Sequence, residues 1–110
     1  MNQPKEKKYH SLKEFYPYYL GEHSNSICRM LHVVGTLSAI VLTFIFVLQG
    51  NYILLPLVFI VAYGLAWIGH FVFEKNRPAT FQYPLYSFIC DFLMLKDVLS
   101  GEIKINSSKK

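Results

Sequence analysis

The sequence lacks the residue patterns of several familiar catalytic sites. Its two cysteines, Cys28 and Cys90, form no CxxC pair, and isolated cysteines in an apolar chain are usually small buried residues. There is no GxSxG turn, no glycine-rich phosphate loop and no His-x-Glu motif with a CxxC partner. Four histidines are also too few for the histidine boxes of di-iron membrane desaturases and hydroxylases. Enzymes whose active sites are built from these motifs are therefore excluded.

Charge is nearly absent from two long stretches of the chain. Residues 31–48 and 52–73 contain no acidic or basic side chain except one histidine each, His32 and His70. At about 1.5 Å per residue, each stretch is long enough, or nearly so, to cross about 30 Å of hydrocarbon. The short polar turn Gln49-Gly50-Asn51 between them predicts a transmembrane helical hairpin of two spans.

Basic residues flank these stretches and are absent from the turn. Arg29 precedes the first stretch, and Lys75 and Arg77 follow the second, so the positive-inside rule predicts that both termini are cytoplasmic. The net charge of +4, mostly near the two ends, suits anionic lipid headgroups. No basic stripe with stacking aromatics indicates nucleic-acid binding. We expect an integral membrane protein of a bacterial inner membrane or an endoplasmic reticulum, with membrane lipids as partners.

Shorter helices are predicted on both sides of the hairpin. Ser11 and Glu14 form a capping box for a short N-terminal interfacial helix, which Pro17 is expected to end within two turns. A C-terminal amphipathic helix, ended by Gly101, is predicted from apolar residues at helical spacing. Those residues are Leu85, Phe88, Ile89, Phe92, Leu95 and Leu99. The fold is thus predicted to be all-α, with one helical membrane domain over residues 11–101, a disordered basic tail over residues 1–10 and a basic tail over residues 102–110.

Counting from the turn places two histidines at the same depth. His32 precedes Gln49 and His70 follows Asn51 by similar distances, roughly 26 and 28 Å along the helices. Small residues spaced four apart favour close packing of helices in lipid. Each stretch has such a row of small residues along one helix face, and a histidine lies in that row or next to it. The rows are Gly35, Ala39 and Thr43 in the first stretch, and Ala62 and Ala66, continued by His70, in the second. Both imidazoles are therefore predicted to point into the contact surface between the two helices.

Further polar residues are expected near the same end. His23 lies in the turn before the first span, beside Glu22, and Glu74 follows His70 by four residues and should share its helix face. Ionisable groups at membrane depth suggest function. His23, His32, His70, Glu22 and Glu74 are candidate metal ligands, and such a set suits non-haem Fe(II) or, as an alternative, zinc. The other interpretation is that the histidines are hydrogen-bonded packing residues.

Four segments of the sequence resemble one small membrane family, the Fe(II)-dependent 2-hydroxy fatty acid dioxygenases. They are YYLGEHSN at residues 18–25, RMLHVVG at 29–35, WIGHFVFEKNRPATF at 67–81 and YPLYS at 83–87, followed by Asp91. The resemblance covers about residues 11–101. It implies α-oxidation, in which a 2-hydroxy fatty acid and O₂ give CO₂ and a fatty acid one carbon shorter, with iron as the cofactor.

The resemblance also assigns candidate roles to residues. It implies His23, His32 and His70 as catalytic residues, and its acidic and amide positions correspond to Glu22, Glu74 and Asn76. Arg29 and Arg77 are candidate substrate-binding residues, since a guanidinium group can hold a carboxylate. Asn76, the amide position, is a third candidate.

Two alternatives stay open at this point. One is a non-enzymatic membrane adaptor or lipid-binding protein with structural histidines, and the other is a zinc-dependent lipid hydrolase. Because two spans make a thin bundle, we expect that a third or fourth helix, from residues 85–99 or from a second copy of the chain, helps to bury the site.

Overall fold

The computed structural model describes residues 9–105, and in that range the chain is all-helical, as predicted. The predicted tail over residues 1–10 lies mostly outside the described residues, as does the end of the predicted C-terminal tail. Tyr9, the first described residue, packs its ring against Phe15, Tyr18 and Tyr83. The described chain therefore begins in contact with the helices that follow.

Helix α1 (Leu12–Gly21) begins at the predicted cap. The Ser11 hydroxyl accepts a hydrogen bond from the backbone N–H of Glu14, and the Glu14 carboxylate accepts one from the N–H of His10. The expectation that Pro17 ends this helix within two turns is wrong, because Pro17 lies inside it. A proline removes one backbone hydrogen bond, and burial of Phe15 and Tyr19, four residues apart on one face, offsets that loss.

Helix α2 (Ser26–Gln49) is the first of the two long apolar helices. The Asn25 side chain caps its start by accepting hydrogen bonds from the N–H groups of Ile27 and Cys28. It ends at Gly50, whose φ of +73° lies in the left-handed region that glycine adopts at little cost. The predicted turn is therefore confirmed.

The second long helical segment returns from this turn and has three parts. A 3₁₀ turn (Tyr52–Leu54) leads into α3 (Leu55–Ile68), which continues as a π-helical turn (Gly69–Glu74). Helix α2 and the continuous segment Tyr52–Glu74 are both long and apolar enough to cross a membrane. The predicted pair of apolar helices is thus confirmed.

The two long helices pack along the predicted small residues. A Cβ atom built on Gly35 would lie 3.3 Å from the carbonyl oxygen of Ala62, so the backbones approach closely there. Nearer the histidines, a Cβ on Gly69 would lie 3.0 Å from the Cα of Cys28. Small side chains permit this contact, as expected for helix pairs in lipid.

Helix α4 (Pro84–Leu99) packs against α1 and α2 after a 3₁₀ turn (Ala79–Phe81). Its end is as predicted, with Gly101 at a φ of +85°. Its buried residues are Ser87, Cys90, Met94 and Leu95, so that of the apolar residues at helical spacing Leu95 is buried whereas Leu85 and Leu99 are 66% and 70% exposed. Both faces of the helix carry apolar residues, so periodicity alone could not identify the buried face. The interfacial placement of α1 and the amphipathic character of α4 stay predictions.

Candidate metal centre

Three histidines from three segments meet at one end of the hairpin. His23 lies in the turn between α1 and α2, His32 lies in α2, and His70 lies in the π turn after α3. Nε2 of His23 is 3.0 Å from Nε2 of His32 and 3.0 Å from Nε2 of His70. Their side chains are between 1% and 5% exposed. The predicted convergence is confirmed, and the three form a group that could hold a metal ion.

The other ring nitrogen of each histidine faces an oxygen that can only accept a hydrogen bond. Nδ1 of His23 is 2.6 Å from the carbonyl oxygen of Tyr19, and Nδ1 of His32 is 2.9 Å from that of Cys28. Nδ1 of His70 is 2.7 Å from Oδ1 of Asn76. Each Nδ1 must therefore carry the proton, which leaves the Nε2 lone pair bare in the neutral ring. Three lone pairs then face one another.

Asn76 is hydrogen-bonded to Nδ1 of His70, the ring nitrogen that faces away from the other two histidines. The orientation of the Asn76 amide is in turn fixed by Glu22. The Asn76 amide NH₂ donates to the backbone oxygen of Glu22 at 3.1 Å and to its Oε1 at 3.0 Å. The amide oxygen must then face His70. Lys75, between the π turn and Asn76, has a φ of +60°, which costs a non-glycine residue roughly 1 kcal/mol or more. That turn lets the Asn76 side chain reach back to His70.

Glu74 caps the start of α2. Its carboxylate accepts hydrogen bonds from the hydroxyl of Ser24 at 2.9 Å and from the backbone N–H of Asn25 at 2.7 Å. Such a position favours an anion, because the first N–H groups of a helix lack partners and carry partial positive charge. The expectation that Glu74 shares the helix face of His70 stays a prediction, and in the structure its carboxylate is engaged with Ser24 and Asn25.

Neither predicted carboxylate ligand joins the histidines. Within residues 9–105, the group of side chains close enough to share one ion consists of His23, His32 and His70. Glu22 is engaged with Asn76, and Glu74 is engaged with the start of α2. Metal ligation by these two carboxylates stays a prediction.

Of the two predicted substrate-binding arginines, Arg29 is buried and Arg77 is exposed. The Arg29 guanidinium donates to the backbone carbonyl oxygens of His23 at 3.0 Å and Lys104 at 2.9 Å. Arg29 thereby ties the His23 turn and the end of the described chain to α2. Substrate contacts of Arg29, Asn76 and Arg77 stay predictions.

Two neighbours of the site, Tyr19 and Asp91, were not predicted as site residues. The Tyr19 ring stacks on the imidazole of His23 with ring centres 4.0 Å apart, and its hydroxyl donates to Oδ1 of Asp91. Burial raises the pKa of Asp91 to about 7. Burial, reinforced by His32 and His70, lowers the pKa of His23 and so favours its neutral form. A carboxylate on a mostly apolar helix was the sequence signal that could have placed Asp91 here.

A line of cavities connects the histidines with the outer surface of the helices. The innermost cavity is lined by the three histidines together with Ser87 and Asp91. The next shares His32 and Asp91 with it and continues between α2, α3 and α4. An apolar groove of about 440 Å³ follows, lined by residues such as Ala39, Phe59 and Phe92. A polar site therefore adjoins an apolar passage that runs toward the hairpin turn.

The histidine arrangement suits a metal ion. Nε2 of His23 lies 3.0 Å from Nε2 of both His32 and His70, and the candidate ligand nitrogens of the three residues all lie within 4.8 Å of one another. Small shifts of these side chains would bring all three nitrogens to about 2.1 Å from one ion, the usual metal–imidazole distance. A cation would also relieve the repulsion among three facing lone pairs. Oxygen partners on the far side of each imidazole are what metal-binding histidines ordinarily have. The donor set is compatible with iron and with zinc.

The fold and the site together define an all-helical protein with two helices able to span a membrane and a buried three-histidine centre. The chain belongs to the 2-hydroxy-palmitic acid dioxygenase Mpo1-like family, whose model matches residues 9–103. The resemblance in sequence is thereby confirmed, and the family's name indicates a role related to a 2-hydroxy fatty acid dioxygenase. No curated protein and no solved structure matches the chain.

Proposed function

We propose that this protein is an Fe(II)-dependent dioxygenase that shortens 2-hydroxy fatty acids by one carbon. The carboxyl carbon leaves as CO₂, the hydroxylated carbon becomes the new carboxyl group, and O₂ is the oxidant, with water as the remaining product. The observation that carries the proposal is the set of three bare Nε2 atoms converging in a buried cavity of a protein from this family.

The residues around the centre have distinct proposed tasks. His23, His32 and His70 would hold the ion, and the oxygen partners of their Nδ1 atoms keep the Nε2 atoms turned toward the space that the three rings share. A bound Fe(II) would supply the activation of O₂, and with three protein ligands it would also be able to accept oxygen atoms of the substrate. The buried surroundings keep bulk water from the reacting groups.

The apolar groove offers a place for the hydrocarbon chain of such a substrate. It follows the cavity that contains His32 and Asp91 and is walled by apolar side chains, so an acyl chain can leave water or lipid there at little cost. Most side chains of the two long helices face outward: 22% and 17% of their most apolar windows are buried. We therefore place the protein in a bilayer, where long-chain acids concentrate.

The proposed orientation puts the histidine end at the cytoplasmic side. Arg29, Lys75 and Arg77 flank that end, whereas the opposite turn, Gln49-Gly50-Asn51, has no basic residue. The membrane is a bacterial inner membrane or an endoplasmic reticulum. A 2-hydroxy acid could then meet the centre with its carboxylate near the cytoplasmic interface and its chain in the bilayer.

Oxygen consumption tests the proposal directly. Protein purified anaerobically in mild detergent and supplied with Fe(II) should consume one O₂ per 2-hydroxyhexadecanoic acid. Mass spectrometry should find pentadecanoic acid, and a ¹³C label in the substrate carboxyl should appear as ¹³CO₂. A His32→Ala variant is the control and should consume no O₂ above background. The absence of uptake and product with 2-hydroxy acids of several chain lengths would overturn the proposal.

A further inference from the structure

Ser87 has a buried hydroxyl without a hydrogen-bond partner among the residues that the structure describes. The residue lies on α4 and is 2% exposed. A buried hydroxyl that meets no partner costs free energy, and an alanine in the same place would avoid that cost. The buried side chains of the three histidines and of Arg29, by contrast, each have hydrogen-bond partners. The Ser87 hydroxyl is thus available to bond to a group that residues 9–105 do not supply.

The position of Ser87 shows where that partner would lie. Ser87 lines the innermost cavity together with His23, His32 and His70. Asp91, four residues later on α4, lies on the same helix face and lines the same cavity. One helix therefore presents a hydroxyl and a carboxyl group side by side to the space beside the candidate metal centre.

These two groups match the head of a 2-hydroxy acid in hydrogen-bonding character. The head carries an anionic acceptor, the carboxylate, next to a carbon that bears a donor, the hydroxyl. The Ser87 hydroxyl can donate, and the Asp91 carboxyl oxygens can accept. A fatty acid without the 2-hydroxyl would lack this hydrogen bond and leave Asp91 with the Tyr19 hydroxyl as its partner, so the hydroxy acid should bind more tightly.

Resting on the proposed function, we infer that Ser87 is a substrate-binding residue whose hydroxyl donates a hydrogen bond to the carboxylate of the 2-hydroxy acid. Asp91, one helical turn away, accepts a hydrogen bond from the 2-hydroxyl and thereby favours hydroxylated over plain fatty acids. The pair fixes which end of the molecule enters the cavity, while the chain lies in the apolar groove.

Fluorescence of Trp67 gives a binding measurement that needs no turnover. Trp67 is the one tryptophan of the chain and lines the same cavity. Iron-loaded protein, kept free of O₂, is titrated with 2-hydroxyhexadecanoic acid and with hexadecanoic acid. Ser87→Ala should weaken binding of the hydroxy acid by about 10- to 100-fold, as expected for the loss of a hydrogen bond to a charged group. Its melting temperature should not fall, because no bond within the protein is lost.

Two further variants sharpen this test. Ser100→Ala removes an exposed serine at the end of the same helix and should leave both dissociation constants unchanged. Asp91→Asn should reduce the preference for the hydroxy acid over hexadecanoic acid. Wild-type binding of the hydroxy acid by Ser87→Ala would overturn the inference, and so would a clear fall in its melting temperature, which would indicate a structural role.

The design separates this inference from the proposed function. If the wild-type protein turns over 2-hydroxy acids and Ser87→Ala binds them as tightly, the proposed function stands and the inference fails. If the wild-type protein neither binds nor oxidises them, the proposed function fails and the inference fails with it.

Discussion

The two ends of the hairpin are built from similar apolar helices but are packed very differently. At the histidine end, Cys28 and His70 are at most 1% exposed, and the Gly69 backbone lies against Cys28. At the turn end, Leu48 and Ile53 are 83% and 86% exposed. Helix α4 and α1 cover the first end, whereas lipid is the expected neighbour of the second. Tight packing is thus concentrated where three polar rings must be held in place.

The same contrast holds for polar groups. At the histidine end, Asn76 makes three hydrogen bonds that fix His70 and Glu22. At the turn end, the side-chain amide of Asn51 donates to the exposed side chain of Gln49. One asparagine belongs to a buried network and the other to a solvated turn. We therefore expect identical substitutions at the two ends to differ sharply in their effects.

The largest expected difference concerns these two asparagines. Asn76→Ala removes the oxygen that fixes the tautomer of His70 and should weaken metal binding about 10- to 100-fold, as is typical for such outer partners. Competition with a chelator of known affinity measures the change. Asn51→Ala is the matched control and should bind metal as the wild-type protein does. Equal affinities for all three proteins would contradict the assigned role of Asn76.

Two glycines of the second long helical segment test the packing contrast. A methyl group at Gly69 would meet Cys28 at 3.0 to 3.4 Å, whereas one at Gly64 would meet nothing within 4 Å. Gly69→Ala should destabilise the protein by about 1–3 kcal/mol, as overpacking does, and should also lower its metal content. Gly64→Ala should be neutral or slightly stabilising. Thermal unfolding in detergent compares them, and a Gly69→Ala variant as stable as Gly64→Ala would show that the close contact is absent.

A smaller effect is expected at the hairpin turn. Gly50→Ala forces a side chain into the left-handed region and should cost about 1–2 kcal/mol of stability. Metal content should not change, because the turn lies at the far end of the helices. Gly21→Ala, where a methyl group would meet nothing within 4 Å, is the control. Loss of metal from Gly50→Ala at a temperature where it stays folded would mean that the two ends are coupled.

Much of this architecture could be predicted because it follows from a few strong regularities. The absence of charged residues predicted the two long helices. Counting residues from the hairpin turn predicted that His32 and His70 lie at the same distance from it. Small residues at four-residue spacing identified the contact between helices, which Gly35 and Ala62 confirm. The nearby His23 joins the same group.

The predictions that were wrong or missing concern features that helical periodicity alone does not determine. The Glu74 carboxylate is engaged with Ser24 and Asn25 at the start of α2, a contact between distant segments that helical spacing does not reveal. Apolar residues on both faces of α4 hid its buried face, so Ser87 was not recognised as a lining residue of the site. Pro17 was tolerated inside α1 because tertiary packing outweighed one lost hydrogen bond. Each of these depends on contacts between segments distant in sequence.

Metal content tests the central claim most directly. The protein is purified anaerobically in mild detergent without added metal, beside a His32→Ala/His70→Ala variant, and iron and zinc are quantified by mass spectrometry. Our account predicts about one iron per chain in the wild-type protein and none in the folded variant. Equal metal content in both proteins, or none in either, would contradict a three-histidine metal centre. Zinc in place of iron would contradict the dioxygenase and favour a zinc-dependent lipid hydrolase.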